Sequence, residues 1–347
     1  MENPVALLVE RQNDISEGNG AAPLLPKFPS YTVCNLRGGV GKTSLVFNLS
    51  FLVDNLLVVD TCPQCNLTWF YDNNYANNNH VTTINDVISP YFMPGLGFAS
   101  HVAKNIGATN NYFANKNSFY ISSDQNLYQL PTKLSIALAQ TMFANSIDQR
   151  DIIDKMLFCL RTEIDREKKE TNTDKCLIDT SPFFSGATHL ACHASDALIV
   201  PVRTDQQSIN SLELLIYNLT NPSSDLLKFA TSNKHIPKIQ LIVLTHCGWS
   251  RKAKSKNQPD KQTRIYIQKV FDIISRNIYL FTTNIPANHL VLLDDFLDAG
   301  RMSSAKSMPI ELLNPKDTIT INRIKTTVNQ SVTKIKNQLK YIHQCIW

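Results

Sequence analysis

The run Arg37-Gly38-Gly39-Val40-Gly41-Lys42-Thr43-Ser44 constrains this chain more than any other stretch. Closely spaced glycines let backbone N–H groups turn inward around an anion, where a Cβ would obstruct the turn. YTVCNL (31–36) before the run reads as a buried strand. After it, Leu45, Val46, Leu49, Leu52 and Val53 recur at helical spacing. The start of that helix adds partial positive charge and free donors behind the loop. Lys42 is then placed to reach the β- and γ-phosphates of a nucleotide, and the Thr43 hydroxyl to ligate Mg²⁺. Gly38, Gly39, Val40, Gly41 and Ser44 complete the expected phosphate cradle.

LLVVD (56–60) follows as a second apolar strand, so strand, loop, helix and strand fit the βαβ plan of a parallel sheet. SFYIS (118–122), CLIDT (176–180), ALIVPV (197–202) and IQLIVLTH (239–246) repeat the apolar run, and NIYLFTTNIP (277–286) is expected as the last strand. A helical pattern covers 131–166. The fold class is therefore α/β, a doubly wound, mostly parallel sheet flanked by helices. Residues 1–30, with Gly18, Gly20 and four prolines, read as an extension or arm. Residues 71–118, rich in asparagine, read as a surface insertion around one short helix near TTINDVI. The phosphate-loop domain is thus expected over 31–318. The segment 319–347 is expected as an amphipathic helix with Ile321, Ile324, Val328, Val332, Ile335, Leu339, Ile342 and Ile346 on one stripe. Packing on the domain, a coiled-coil partner or a membrane surface would each suit that stripe.

Without a run of about 18 apolar residues, a transmembrane helix is not expected. MENPVALLVERQND lacks a basic start before a long apolar core, so a cytoplasmic location is expected. The net charge of +5 does not by itself imply a nucleic-acid partner. Cys62 and Cys65 form a C-x-x-C with no second pair to complete a zinc set, and reduced thiols are the expectation there. His189, Cys192 and His193 cluster on one helical stretch, more in the manner of packing than of ligation.

Two acids close apolar strands: Asp60 after LLVV and Asp179 after CLI. Carboxyl ends of parallel strands share one edge, so both would face the phosphate loop. One would hold Mg²⁺ and the other would orient the attacking water. At these residues the chain resembles the ParA/MinD group of deviant Walker A ATPases, over about 31–310. The resemblance lies in the phosphate loop, DTCPQCNLT, IDTSP, VPVRTDQQSINSLELL and NIPANHLVLLDDFLDAG, with Pro63-Gln64 pointing to the ParA partitioning branch. Leucine stands at 36, where a strict Walker A motif has glycine.

The resemblance implies ATP and Mg²⁺ as cofactors, Lys42 on the phosphates, and Thr43 with Asp179 on the metal. Asp60 would sit near the metal and position the hydrolytic water, and Pro286 would lie near the nucleotide. It also implies an ATP-dependent homodimer in which Arg37, standing where the family has a signature lysine, crosses to the partner's phosphates. Cys62 replaces the second acid of the family's motif. A partner protein that stimulates hydrolysis and nonspecific DNA are the expected partners. Arg251, Lys252, Lys254, Lys256 and Arg264 form the candidate DNA surface, since clustered cations neutralise backbone phosphates. Three uses fit this chemistry: DNA or plasmid partitioning, a positioning scaffold recruited to protein or membrane through the C-terminal helix, or a nucleotide-sensing module of a multi-protein system.

Overall fold

The computed structural model describes residues 4–75, 81–93, 95–141, 146–184, 186–229, 236–250, 258–321 and 324–347. One eight-stranded sheet forms the frame. Its strands are β1 (Ser30–Val33), β2 (Leu56–Asp60), β3 (Lys104–Asn105), β4 (Ser118–Ile121), β5 (Lys175–Asp179), β6 (Ala197–Arg203), β7 (Lys238–Cys247) and β8 (Leu290–Asp294). They lie in the order β3-β4-β2-β5-β1-β6-β7-β8, parallel throughout except between β3 and β4. A separate antiparallel hairpin joins β9 (Thr318–Ile321) to β10 (Ile324–Thr327).

The helices are α1 (Pro4–Glu17), α2 (Lys42–Phe51), α3 (Asn66–Tyr71), α4 (Ile84–Ile88), α5 (Leu130–Thr141) and α6 (Ser146–Leu157), then α7 (Cys159–Thr171), α8 (Ala187–Ala194), α9 (Gln206–Thr220), α10 (Lys261–Arg276), α11 (Leu297–Lys306) and α12 (Ser331–Ile346). They cover both faces, because the strands are apolar on both sides. Leu56 and Val58 join the layer of α2, α11 and α12, while Leu57 and Val59 join the layer of α4, α5 and α8. Further along the sheet, Leu198, Val200, Ile242 and Leu244 pack with residues of α9 and α10. None of the described helices is long and apolar enough to cross a membrane.

Several segments differ from the sequence reading. The last strand of the sheet is Leu290–Asp294, not 277–286. Pro286 cannot donate to a ladder and opens a 3₁₀ turn instead, whereas the uninterrupted apolar run LVLL fills a fully buried strand. The pattern over 131–166 divides into α5, α6 and α7. The C-terminal helix starts at Ser331; before it, alternating Thr and Ile suit the β9–β10 hairpin better than a helix. Ile321 and Ile324 therefore leave the expected stripe. The remainder, including Val332, Ile335, Leu339, Ile342 and Ile346, is buried in the main core, so this face is not available to a membrane.

Residues 1–30 are also more than an arm. Helix α1 lies along the free edge of β8, where Arg11 donates to the carbonyls of Ala287 and Leu290, and Gln12 Nε2 to Leu292 O at 3.1 Å. An edge strand presents unpaired backbone groups, and these side chains satisfy them. Leu8 and Val9 on one side and Ile15 on the other anchor the helix in both layers.

The insertion is fastened to α7 by polar contacts, among them Tyr91 to the buried Glu163 and a cluster on the buried Glu167. Glu167 accepts from Val102 N (3.3 Å) and Ala103 N (3.0 Å) and forms ion pairs with Arg166 Nη2 at 2.9 Å and, when it is protonated, His101 Nδ1 at 2.8 Å. Leucine at 167 would strand two buried N–H donors. We expect Glu167→Leu to lower stability by about 2–3 kcal/mol in urea unfolding, and an unchanged midpoint would mean that the hydrogen bonds to Glu167 do not hold the insertion.

Candidate nucleotide-binding site

The phosphate loop leaves β1 and enters α2. Gly39 and Gly41 adopt φ values of 72° and 90°, the left-handed region that side chains avoid, and Gly41 caps α2. The loop is braced from below by Asn35, whose Nδ2 donates to Pro201 O at 2.7 Å and whose Oδ1 accepts from Arg37 N at 3.0 Å. Thr245, at the end of β7, donates to Val40 O at 3.2 Å. Sequence reading missed both residues; Thr245 was signalled only by its place at the end of an apolar run.

Lys42 is buried and its Nζ donates to Asn35 O (3.1 Å) and Arg37 O (2.9 Å). Burial lowers its pKa, opposed by the nearby Asp179. The ammonium thus folds back under the loop that Gly38, Gly39 and Gly41 expose; a Cβ at any of the three would meet no atom within 4 Å. Arg37 does not share this position. Its guanidinium leans outward to Asp205, 3.4 Å away at the start of α9.

Asp60 and Asp179 are register partners at the carboxyl ends of β2 and β5, and both are buried. Thr61 locks the two ends together, donating from N (3.0 Å) and Oγ1 (2.6 Å) to Asp179 O. The carboxylates differ in their partners. Both oxygens of Asp60 are used locally: Oδ1 by Cys62 N (3.0 Å), Oδ2 by Thr68 N (2.9 Å) and Thr68 Oγ1 (2.8 Å). Asp179 accepts from Thr43 Oγ1 at Oδ2 (2.7 Å), while its buried Oδ1 meets no hydrogen-bond partner. A hydroxyl beside a carboxylate with one buried, unsatisfied oxygen is a donor set that fits Mg²⁺, a hard cation that keeps several waters of its own. Among the described residues no cluster of three His, Cys, Asp or Glu is arranged for a metal, and His189, Cys192 and His193 are simply buried on α8.

Cys62 and Cys65 are buried free thiols, pushed up to about 12 and about 11 by desolvation, so neither carries thiolate character at neutral pH. A cavity of about 290 Å³ opens beside the loop, lined by Gly39, Gly41 and Ser44 on one side and by His246, Asp295, Phe296, Leu297 and Gly300 on the other. His246 and Leu297 hold left-handed φ values of 58° and 45°, so two strained residues shape this wall. Pro286 is not among its lining residues, though the cavity is built from the stretch just after it. Of the expected DNA residues, Arg251, Lys252, Lys254 and Lys256 lie outside the described residues. Arg264 is on α10, tied to Pro259 O (3.2 Å) and Gln258 Oε1 (2.9 Å).

Burial, then the neighbouring Asp60, pushes the Asp179 carboxyl up to about 7, and burial moves Asp60 in the same direction. The folded chain thus holds a proton on Asp179 more tightly than the unfolded chain does. Its contribution to stability is full at low pH and is lost as pH rises from the ordinary aspartate range through about 7. In the metal-free protein, Asp179→Asn should flatten the pH dependence of stability over that window and raise stability at pH 8 by roughly 2 kcal/mol. Thermal unfolding across pH in a chelating buffer checks this; an Asn variant that tracks the wild type at every pH would contradict it.

Comparison with known proteins agrees with this geometry. A family of AAA domains, AAA_31, matches residues 30–228, more than half of the chain. An uncharacterised protein of Methanocaldococcus jannaschii, MJECL24, is 23% identical over 235 residues, covering 64% of this chain and 74% of that one. The structure of an McdA variant in complex with ATP, from Cyanothece, superposes with a TM-score of 0.59 at 16% identity, over 91% of this chain and 95% of its own. Apo McdA gives 0.54 at 16% identity, over 81% and 90%. The chain belongs to this AAA domain family and has the fold of the ParA/MinD-type P-loop ATPases.

Proposed function

We propose that the chain is an ATP-binding switch of the ParA kind, which takes ATP with Mg²⁺, dimerises around it and hydrolyses it slowly. The observation that carries this reading is the triad of Lys42, Thr43 and Asp179 at one loop, with Asp179 Oδ1 left unpaired. Lys42 would exchange its two carbonyl partners for phosphate oxygens, and Thr43 with Asp179 would hold the metal. Bound Mg²⁺ would neutralise charge on the phosphates. The McdA relative supports the nucleotide, since its structure is an ATP complex.

Slow turnover follows from how Asp60 is engaged. Its carboxylate shapes the turn into α3 through Cys62 and Thr68, and burial favours its neutral form. A carboxylate so engaged is a weak general base for water. Cys62 adds no charge, so the activating group would come from a partner protein or from an ATP-bound second copy. Arg37 is the residue proposed to answer such a partner, because its single contact with Asp205, at 3.4 Å, is only partly buried and costs little to break. Solution mass with Mg²⁺-ATP against Mg²⁺-ADP tests the switch. ATP should shift the protein to a dimer, and Lys42→Ala should weaken ATP binding at least a hundredfold. A monomer with both nucleotides would remove dimerisation, and unimpaired binding by Lys42→Ala would remove the site.

DNA or plasmid partitioning is the use we favour over a scaffold or sensor, because the basic stretch lies in sequence between two segments that pair with each other. Trp249 bridges Pro259, and Ser250 N donates to Gln258 O at 2.8 Å, so the chain on either side of Arg251, Lys252, Lys254 and Lys256 is held together. The charge reversals Lys252→Glu and Lys254→Glu together should weaken DNA binding about tenfold or more and flatten its dependence on salt. Equal affinity and equal salt slope in the double variant would move the reading to a scaffold or sensor.

A further inference from the structure

The asparagine-rich insertion is joined to the cavity wall by one buried side chain. Asn110 Nδ2 spends both hydrogens, donating to Phe70 O at 2.9 Å and to Ser307 O at 2.9 Å, while its Oδ1 accepts from Tyr112 N at 3.0 Å. Phe70 belongs to α3, the helix whose Thr68 holds Asp60. Ser307, in the left-handed conformation at φ 49°, ends α11. A second insertion residue grips the same point: Ser307 Oγ donates to Asn73 Oδ1 at 2.9 Å. Along its length α11 supplies Leu297, Gly300 and Ser304 to the 290 Å³ cavity beside the phosphate loop.

From this geometry we infer that Asn110 is a positioning residue for the nucleoside side of the site, acting through α11. The inference builds on the nucleotide reading above and assigns the insertion a task within it. A buried amide whose three hydrogen bonds end on three separate segments fixes their spacing, because a shift of any one strands a polar group away from water. Here the segments are α3, α11 and the insertion's own turn. Moving α11 would move the wall that faces Gly39, Gly41 and Ser44, whereas the loop carrying Lys42 and Thr43 is braced separately by Asn35 and Thr245. The base and sugar of a bound nucleotide would therefore feel Asn110, and its phosphates would not.

Calorimetric titration of the full chain with the Mg²⁺ complexes of ATP and of inorganic tripolyphosphate, which lacks a nucleoside, separates the two sides. Asn110→Asp keeps the acceptor for Tyr112 N and loses both donors. Ser307→Gly suits the left-handed backbone and loses only the bond to Asn73, and it carries the test where the aspartate variant does not fold. ATP should bind about tenfold more weakly to Asn110→Asp and about threefold more weakly to Ser307→Gly, with tripolyphosphate within about twofold of wild type in both. Unchanged ATP affinity in both variants, or a parallel loss of both ligands, would overturn the role of Asn110. A wild-type protein that binds tripolyphosphate and ATP equally, or neither, would instead overturn the nucleotide reading itself.

Discussion

Two carboxylates side by side at the ends of neighbouring buried strands are the constraint around which the molecule is arranged. Asp60 and Asp179 are in register on β2 and β5, and a low-dielectric setting makes a second negative charge there expensive. The fold answers each acid differently. Asp60 is given three donors from the turn into α3, which turns it into a brace of the polypeptide. Asp179 receives one hydroxyl from Thr43 and keeps an oxygen unspent. That asymmetry leaves Asp60 fully hydrogen-bonded and Asp179 with one unpaired oxygen, and it follows from which loop stands next to which strand end.

The sheet order serves the same end. With β1 between β5 and β6, the chain leaves the strand that carries the glycine loop in one direction and later returns on the other side. A crevice forms where the order reverses. The loop, Thr43 with Asp179, and the cavity all lie along it, and the walls come from segments as distant in sequence as Ser44 and Ser304.

How much of this was legible before the fold was known depends on whether the signal was local. The glycine loop and its strand and helix were, because the apolar pattern and the loop chemistry sit within a short stretch. So were β2, β4, β5, β6 and β7, each an apolar run. The last strand was misplaced because NIYLF and HLVLLD look alike in apolar content, and only Pro286 and the neighbouring β7 decide between them. The C-terminal stripe read as continuous because isoleucines at helical spacing also alternate in TITI, and pairing of β9 with β10 settles that segment. Asn110 left no signal at all. Among so many asparagines its distinction is burial against α3 and α11, which no spacing encodes.

Helix α1 carries a consequence for how the chain reaches this state. The groups that Arg11 and Gln12 satisfy belong to residues roughly 280 positions later, Leu290 and Leu292 among them. During synthesis the helix therefore emerges long before its seat exists, and a helix of this length has little stability alone. Strand β8, when it does join the sheet, remains an open template until the first segment swings back to it. Closing so large a loop is slow compared with local structure formation. The interval between the two events is when another copy's strand competes for the same edge, so the chain is most prone to mis-association at the last step of its folding rather than the first.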